Sequence, residues 1–162
     1  MIVDYGSEFD LLFLELVRQH FITIGGKQYQ ELLNISYKLD FSEQELEKYV
    51  ESPHFEDEVE REYLLKRVDD VISVLKNDIN SRQAIFANLY DNGLGKCITS
   101  AHFFVRDGKV FLNTYFRSQE AEKNLEYDKF THFLLVNKVS KELGLEVGEI
   151  TVIVANFHRT IE

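Results

Sequence analysis

Cys97 is the only cysteine in the chain, and the residues that a β-hairpin would set beside it are of the kind that activates a thiol. Asp107-Gly108 lies between two alternating apolar runs, 98–106 and 109–116, which is the strongest short-range hairpin signal a sequence carries. A two-residue loop there fixes the register. Arg106 faces Lys109, Val105 faces Val110, Phe103 faces Leu112, and Cys97 faces Ser118. Arg117 is then one residue from the cysteine's partner. A guanidinium beside a thiol favours the thiolate, which is the nucleophilic form. The planar fork of the same arginine suits a phosphate or carboxylate. In an ideal strand Arg117 points away from Cys97 and Ser118, so a bulge or a frayed strand end has to bring it round. The competing reading is that a lone cysteine serves as a small buried hydrophobe.

Other elements must hold this hairpin in place. Phe9, Leu12, Phe13, Leu16 and Val17 recur at helical spacing and predict a helix over 8–19. Gly25-Gly26 separates the extended runs 21–24 and 28–39, and in the second Leu33, Ile35, Tyr37 and Leu39 alternate with polar neighbours. A polar helix over 42–49 ends before the lone proline, Pro53, and Val59, Leu64, Val68, Val71, Ile72 and Leu75 form the next amphipathic stripe. A strand over 84–90 and a glycine-rich loop over 91–95 lead into the hairpin. A loop over 119–126, a helix over 127–143 stopped by Gly144, and a strand over 150–156 follow it. The expected fold is α+β: a mixed β-sheet with a central hairpin packed against helices, in one domain spanning 1–162.

Bulk composition narrows the function. The 162 residues carry a net charge of −10, from 18 Lys+Arg against 28 Asp+Glu, which argues against a nucleic-acid binder. The acidic excess is concentrated over 42–70 and reads as a solvated helical surface. No apolar run reaches the length of roughly 18 residues that a membrane span needs, and the acidic start is unlike a secretory signal. A single cysteine cannot close an intramolecular disulfide, so a reducing cytoplasm is the expected setting. His102, His132, His158 and Glu120 match no metal-ligand spacing, and no metal is expected.

Several segments then occur together in a recognisable order: LKNDINSRQ at 75–83, KCITSAHFFVRDGKV at 96–110, YFRS at 115–118, Asp128 eleven residues after Arg117, and LGLEVGEI at 143–150 followed by His158. This order and spacing resembles the thymidylate synthase and pyrimidine nucleotide hydroxymethylase superfamily, and ELLNISYKLDF at 31–41 faintly resembles its early strand. The resemblance implies a thymidylate synthase-like fold and a nucleophilic Cys97 that adds to carbon 6 of a pyrimidine deoxynucleotide. Carbon 5 then attacks a one-carbon unit carried by methylene-tetrahydrofolate. It implies that Arg117 and Ser118 hold the phosphate, that Arg82 reaches the phosphate of the partner in a symmetric homodimer, and that His158 contacts the sugar. His102 falls near the nucleotide, and Glu120 takes the place of a catalytic carboxylate two residues after Ser118. Asp128 occupies the base-reading position. Members acting on deoxycytidylate carry aspartate there and thymidylate synthases asparagine, which points to a cytosine-type base. The competing reading of Asp128 is a cap near a helix start.

The sequence also departs from the family pattern. Cys97 is flanked by Lys96 and Ile98 rather than by proline and histidine, Gln83 follows Arg82 where a second arginine is usual, and 21–27 holds no arginine. Glu120 replaces aspartate, Thr160 replaces tyrosine, and tryptophan is absent. The family's middle insertion and its C-terminal folate-covering segment have no counterpart before Val59 or after Glu162. Two functions therefore follow: one-carbon transfer to carbon 5 of a pyrimidine deoxynucleotide, dCMP in particular, or a non-catalytic nucleotide-binding or regulatory homologue.

Overall fold

The computed structural model describes residues 7–52 and 59–161. In chain order the elements are α1 (Ser7–Leu16), β1 (Ile22–Ile24), β2 (Lys27–Leu39), α2 (Glu43–Val50), α3 (Val59–Asn77), β3 (Ile85–Leu89), β4 (Gly95–Arg106), β5 (Lys109–Phe116), β6 (Gln119–Glu120), α4 (Leu125–Leu143) and β7 (Glu146–Ile161). All strands join one mixed sheet in the order β1-β2-β7-β5-β4-β3, with β6 also paired to β7. β5 and β6 run parallel to β7 and the other neighbours are antiparallel. The parallel pairs are possible because α4 carries the chain back across the sheet between β6 and β7.

Local chemistry explains the boundaries. The β4–β5 turn forms where expected: Asp107 and Gly108 both adopt positive φ, 52° and 71°, which the turn requires and aspartate and glycine tolerate. Ser42 caps α2 by accepting from Glu45 N–H at 3.2 Å, whereas Pro53 lies outside the described residues. Gly144 ends α4 in the left-handed region, its N–H returning to the Lys141 and Ser140 carbonyls. Several expectations need correction at their ends. The first helix stops at Leu16 instead of residue 19, β4 starts at Gly95 rather than 98, α4 starts two residues earlier than 127, and the final strand spans 146–161 rather than 150–156. Its extra length is paired at both ends: Glu146 and Val147 with Lys109 and Val110 of β5, and the C-terminal part with β2, which runs from Leu39↔Ile150 to Gln28↔Ile161.

One face of the sheet is covered. Along β5, Val110, Leu112, Thr114 and Phe116 are buried while the alternate residues are not. α1 lays Phe9 edge-on against Tyr37 of β2 and Phe157 of β7, at 5.4 and 5.7 Å between ring centroids. α4 stacks His132 over Phe116 at 5.7 Å. On the opposite face Ile85, Tyr115 and Ile153 are exposed, and Phe104 stacks on Phe111 at 5.2 Å. Among the described residues no helix is long and apolar enough to cross a membrane.

Candidate active site

Cys97 stands opposite Arg117, not Ser118. The hairpin follows its two-residue register from Arg106↔Lys109 to Ser100↔Tyr115 and then slips, so that Ile98 pairs with Phe116. Thr99 is the extra residue, a β-bulge. Its hydroxyl donates to the Lys96 carbonyl at 2.8 Å, and its methyl group occupies space that a side chain at position 95 would need: a Cβ on Gly95 would lie 2.9 Å from Thr99 Cγ2. The bulge shifts the alternation of β4. Ala101, Phe103 and Val105 face the covered side, and past Thr99 it is Ile98 that does so. Without the slip Cys97 would share the buried side with Phe103. With it, Cys97 is exposed.

The same slip brings round the arginine. Arg117 N–H donates to the Cys97 carbonyl at 3.2 Å, its Nε donates to the Gly95 carbonyl at 2.8 Å, and its Nη2 lies 3.9 Å from Cys97 Sγ. That contact places a cation within reach of the cysteine sulfur. Nε and Nη2 thus meet the Gly95 carbonyl and the Cys97 sulfur at the start of β4, and the arginine is exposed.

Arg117 and Ser118 form a two-residue break between β5 and β6. Phe116↔Val154 and Gln119↔Phe157 keep the same register offset along β7, so the break interrupts one strand without moving it. The expected 119–126 loop accordingly begins with two residues of strand. Across from the break Ser118 Oγ lies 3.4 Å from His158 Nδ1, and the His158 ring meets Tyr29 edge-on at 5.8 Å. Glu120 pairs with His158 along the backbone. Its Oε2 accepts from Glu122 N–H at 3.0 Å and from Lys123 N–H, which closes the following turn. Its Oε1 is buried with no hydrogen-bond partner among the described residues.

Asp128 is not the cap of α4, since Asn124 holds that position. It lies in the first turn, and its Oδ2 accepts from Gln119 Nε2 at 3.0 Å. Gln119 Oε1 in turn accepts from the Tyr37 hydroxyl at 2.8 Å. One turn on, His132 Nδ1 lies 2.6 Å from the Asp128 carbonyl and Nε2 lies 2.7 Å from Thr114 Oγ1. A carbonyl can only accept, so the proton sits on Nδ1 and the threonine hydroxyl donates to Nε2. Burial pushes the His132 pKa down to about 4, against the raising effect of its bond to the Asp128 carbonyl. The unfolded chain protonates this ring near 6.5, so its contribution to stability is intact above 6.5 and is lost as pH falls from 6.5 toward 4. Between pH 7 and 4.5 wild type is expected to lose about 2–3 kcal/mol more than His132→Gln, read from urea midpoints. Equal losses in the two proteins would show that this histidine does not govern the acid limb.

Arg82 and His102 meet elsewhere on the sheet: His102 Nε2 lies 3.1 Å from the Arg82 carbonyl, and its ring leans on Phe104 at 5.5 Å. They belong to the open face, near β3. Among the described residues no group of three or more histidine, cysteine, aspartate or glutamate side chains is placed to hold a metal. Sequence reasoning missed Tyr37 and Gln119 as neighbours of Asp128, since β2, β6 and α4 meet only in the fold. It also missed the contacts of Lys96, the residue before Cys97, whose ammonium lies 4.9 Å from the ring centroid of Tyr63 and 5.5 Å from that of Tyr90.

Comparison with known proteins gives a consistent result. The family model described as thymidylate synthase matches residues 29–159. Thymidylate synthases of Listeria monocytogenes serotype 4a (strain HCC23) and serotype 4b (strains CLIP80459 and F2365) are each 29% identical over 90 residues, covering 52% of this chain. The matched stretch is 29% of each relative's length, so it spans less than a third of those proteins.

Proposed function

We propose that this chain, which belongs to the thymidylate synthase family, transfers a one-carbon unit to carbon 5 of a pyrimidine deoxynucleoside monophosphate, dCMP in particular, through an adduct at Cys97. The observation that carries this reading is the exposed Cys97 thiol with the Arg117 guanidinium 3.9 Å from its sulfur. The thiolate sulfur bonds to carbon 6, and the electrons of the 5,6 double bond make carbon 5 the nucleophile. After carbon 5 has gained its new bond and lost its proton, expulsion of the sulfur restores the double bond and the thiolate. Arg117 and Ser118 hold the phosphate, His158 contacts the sugar beside Ser118, and Asp128 reads the base. Glu120 contributes the oxygen, Oε1, that the turn leaves unused.

Methylene-tetrahydrofolate supplies the carbon at the oxidation level of formaldehyde when it is bound. Tyr63 and Tyr90 would hold it: both rings are exposed, and the Lys96 ammonium that lies against them suits an acidic tail. The apolar open face, with Ile85, Phe104, Phe111, Tyr115 and Ile153, suits a second copy of the chain, which would carry Arg82 toward the partner's site. Light scattering is expected to give twice the chain mass, and a monomer would remove Arg82 from the scheme. Thiolate chemistry of this kind fits a reducing, cytoplasmic setting.

The deciding experiment is release of tritium from carbon 5 of labelled dCMP and dUMP, with and without methylene-tetrahydrofolate. Release from dCMP ahead of dUMP is expected. The second reading, a nucleotide-binding homologue without turnover, is favoured by the commitment of Glu120 Oε2 to the turn. Binding of either nucleotide without release would establish it, and absence of both would overturn the two readings together.

A further inference from the structure

Gln119 is enclosed between two groups that decide which way its amide points. Tyr37, Gln119 and Asp128 are 3%, 2% and 8% exposed, so water does not substitute for the bonds among them. The Tyr37 hydroxyl donates to Gln119 Oε1 and Gln119 Nε2 donates to Asp128 Oδ2. Turning the amide over would set its oxygen against the carboxylate oxygen, acceptor against acceptor. The tyrosine bond holds it in the other orientation. The backbone of Asp128 is fixed as well, through His132 to Thr114 of β5.

This asymmetry bears on base recognition. Cytosine presents an exocyclic amino donor beside a ring-nitrogen acceptor, whereas uracil presents a carbonyl acceptor beside a ring N–H donor. A carboxyl group with two interchangeable oxygens can serve either edge by changing which oxygen bears the proton. One whose Oδ2 is held as an acceptor offers a single order of donor and acceptor. We propose that Gln119, oriented by Tyr37, is a specificity-determining positioning residue: it makes the Asp128 carboxyl group directional, so that the site distinguishes a pyrimidine bearing an exocyclic amino group from one bearing a carbonyl there. The inference rests on the reading of Asp128 as the residue that meets the base.

The test is calorimetric binding of dCMP and dUMP to wild type, Gln119→Leu, Tyr37→Phe and Asp128→Asn. Wild type is expected to favour dCMP by about tenfold or more, the scale of one well-placed hydrogen bond. Gln119→Leu keeps the volume and removes both bonds, and should bring the two affinities within about threefold of each other. Tyr37→Phe keeps the ring against Phe9 and Phe157, releases the amide, and should lower the ratio in the same direction. It decides the matter if Gln119→Leu does not fold. An unchanged ratio in both variants, with a ratio shifted by Asp128→Asn, overturns the proposal and leaves the functional reading standing. A ratio unmoved by Asp128→Asn, or no binding of either nucleotide to wild type, overturns the role of Asp128 and this proposal with it.

Discussion

Cys97→Ser is expected to lower tritium release from carbon 5 by at least about a thousandfold while leaving nucleotide affinity within about threefold, because a group that forms the covalent bond is needed for turnover and not for binding. The substitution changes one atom on an exposed side chain, so folding is not at issue. A serine hydroxyl oxygen is a far weaker nucleophile than a cysteine sulfur. Mass spectrometry of the intact protein with a 5-fluoropyrimidine nucleotide should find a stable adduct in wild type and none in the variant. Release that survives in Cys97→Ser would mean that the proton at carbon 5 is removed without a sulfur bond, and the mechanism would have to be abandoned.

Phe157→Ala is expected to cost about 3–5 kcal/mol, the range for emptying an aromatic site in a packed core. Its ring is wholly buried, meets Phe9 of α1 at 5.7 Å, and leans on Tyr37 at 6.4 Å. Small domains are stable by only about 5–15 kcal/mol, so the variant would stand close to unfolding. The loss should appear as a lower urea midpoint at unchanged slope. Because His158 is the next residue, the variant should also bind nucleotide less well under conditions where it remains folded. A loss below about 1 kcal/mol would show that α1 and the sheet can close the cavity, and that the contact contributes little.

Much of this arrangement is legible in the sequence. The alternation around Asp107-Gly108 locates the hairpin turn to the residue, and Ser118 lies beside His158, two residues that the family resemblance assigns to one nucleotide. The partner of Cys97 was misplaced because a regular ladder was assumed beyond Ser100. A signal was present: Ile98 and Ala101 are three apart where an unbroken strand would place its buried residues two or four apart, and Gly95 lies nearby to admit the bulge. The surroundings of Asp128 were not legible. Tyr37 and Gln119 are 82 residues apart, and no local pattern reports that a phenol and an amide will meet under a helix.

The position of β7 has a consequence for how the chain reaches this state. It is the last of the described elements in sequence, yet it lies inside the sheet between β2 and β5. Until it arrives, β1-β2 and the β3-β4-β5 meander are separate ribbons with apolar faces and unpaired edges. On the ribosome both would wait through the synthesis of α4, in the condition that favours wrong pairing between chains. Pairings as distant as Gln28↔Ile161 then form late, and refolding in milliseconds to seconds follows from such separations. His158 arrives with that strand, so under the proposed function a nascent chain could not yet hold a nucleotide, and dCMP added during refolding should speed nothing before β7 has docked.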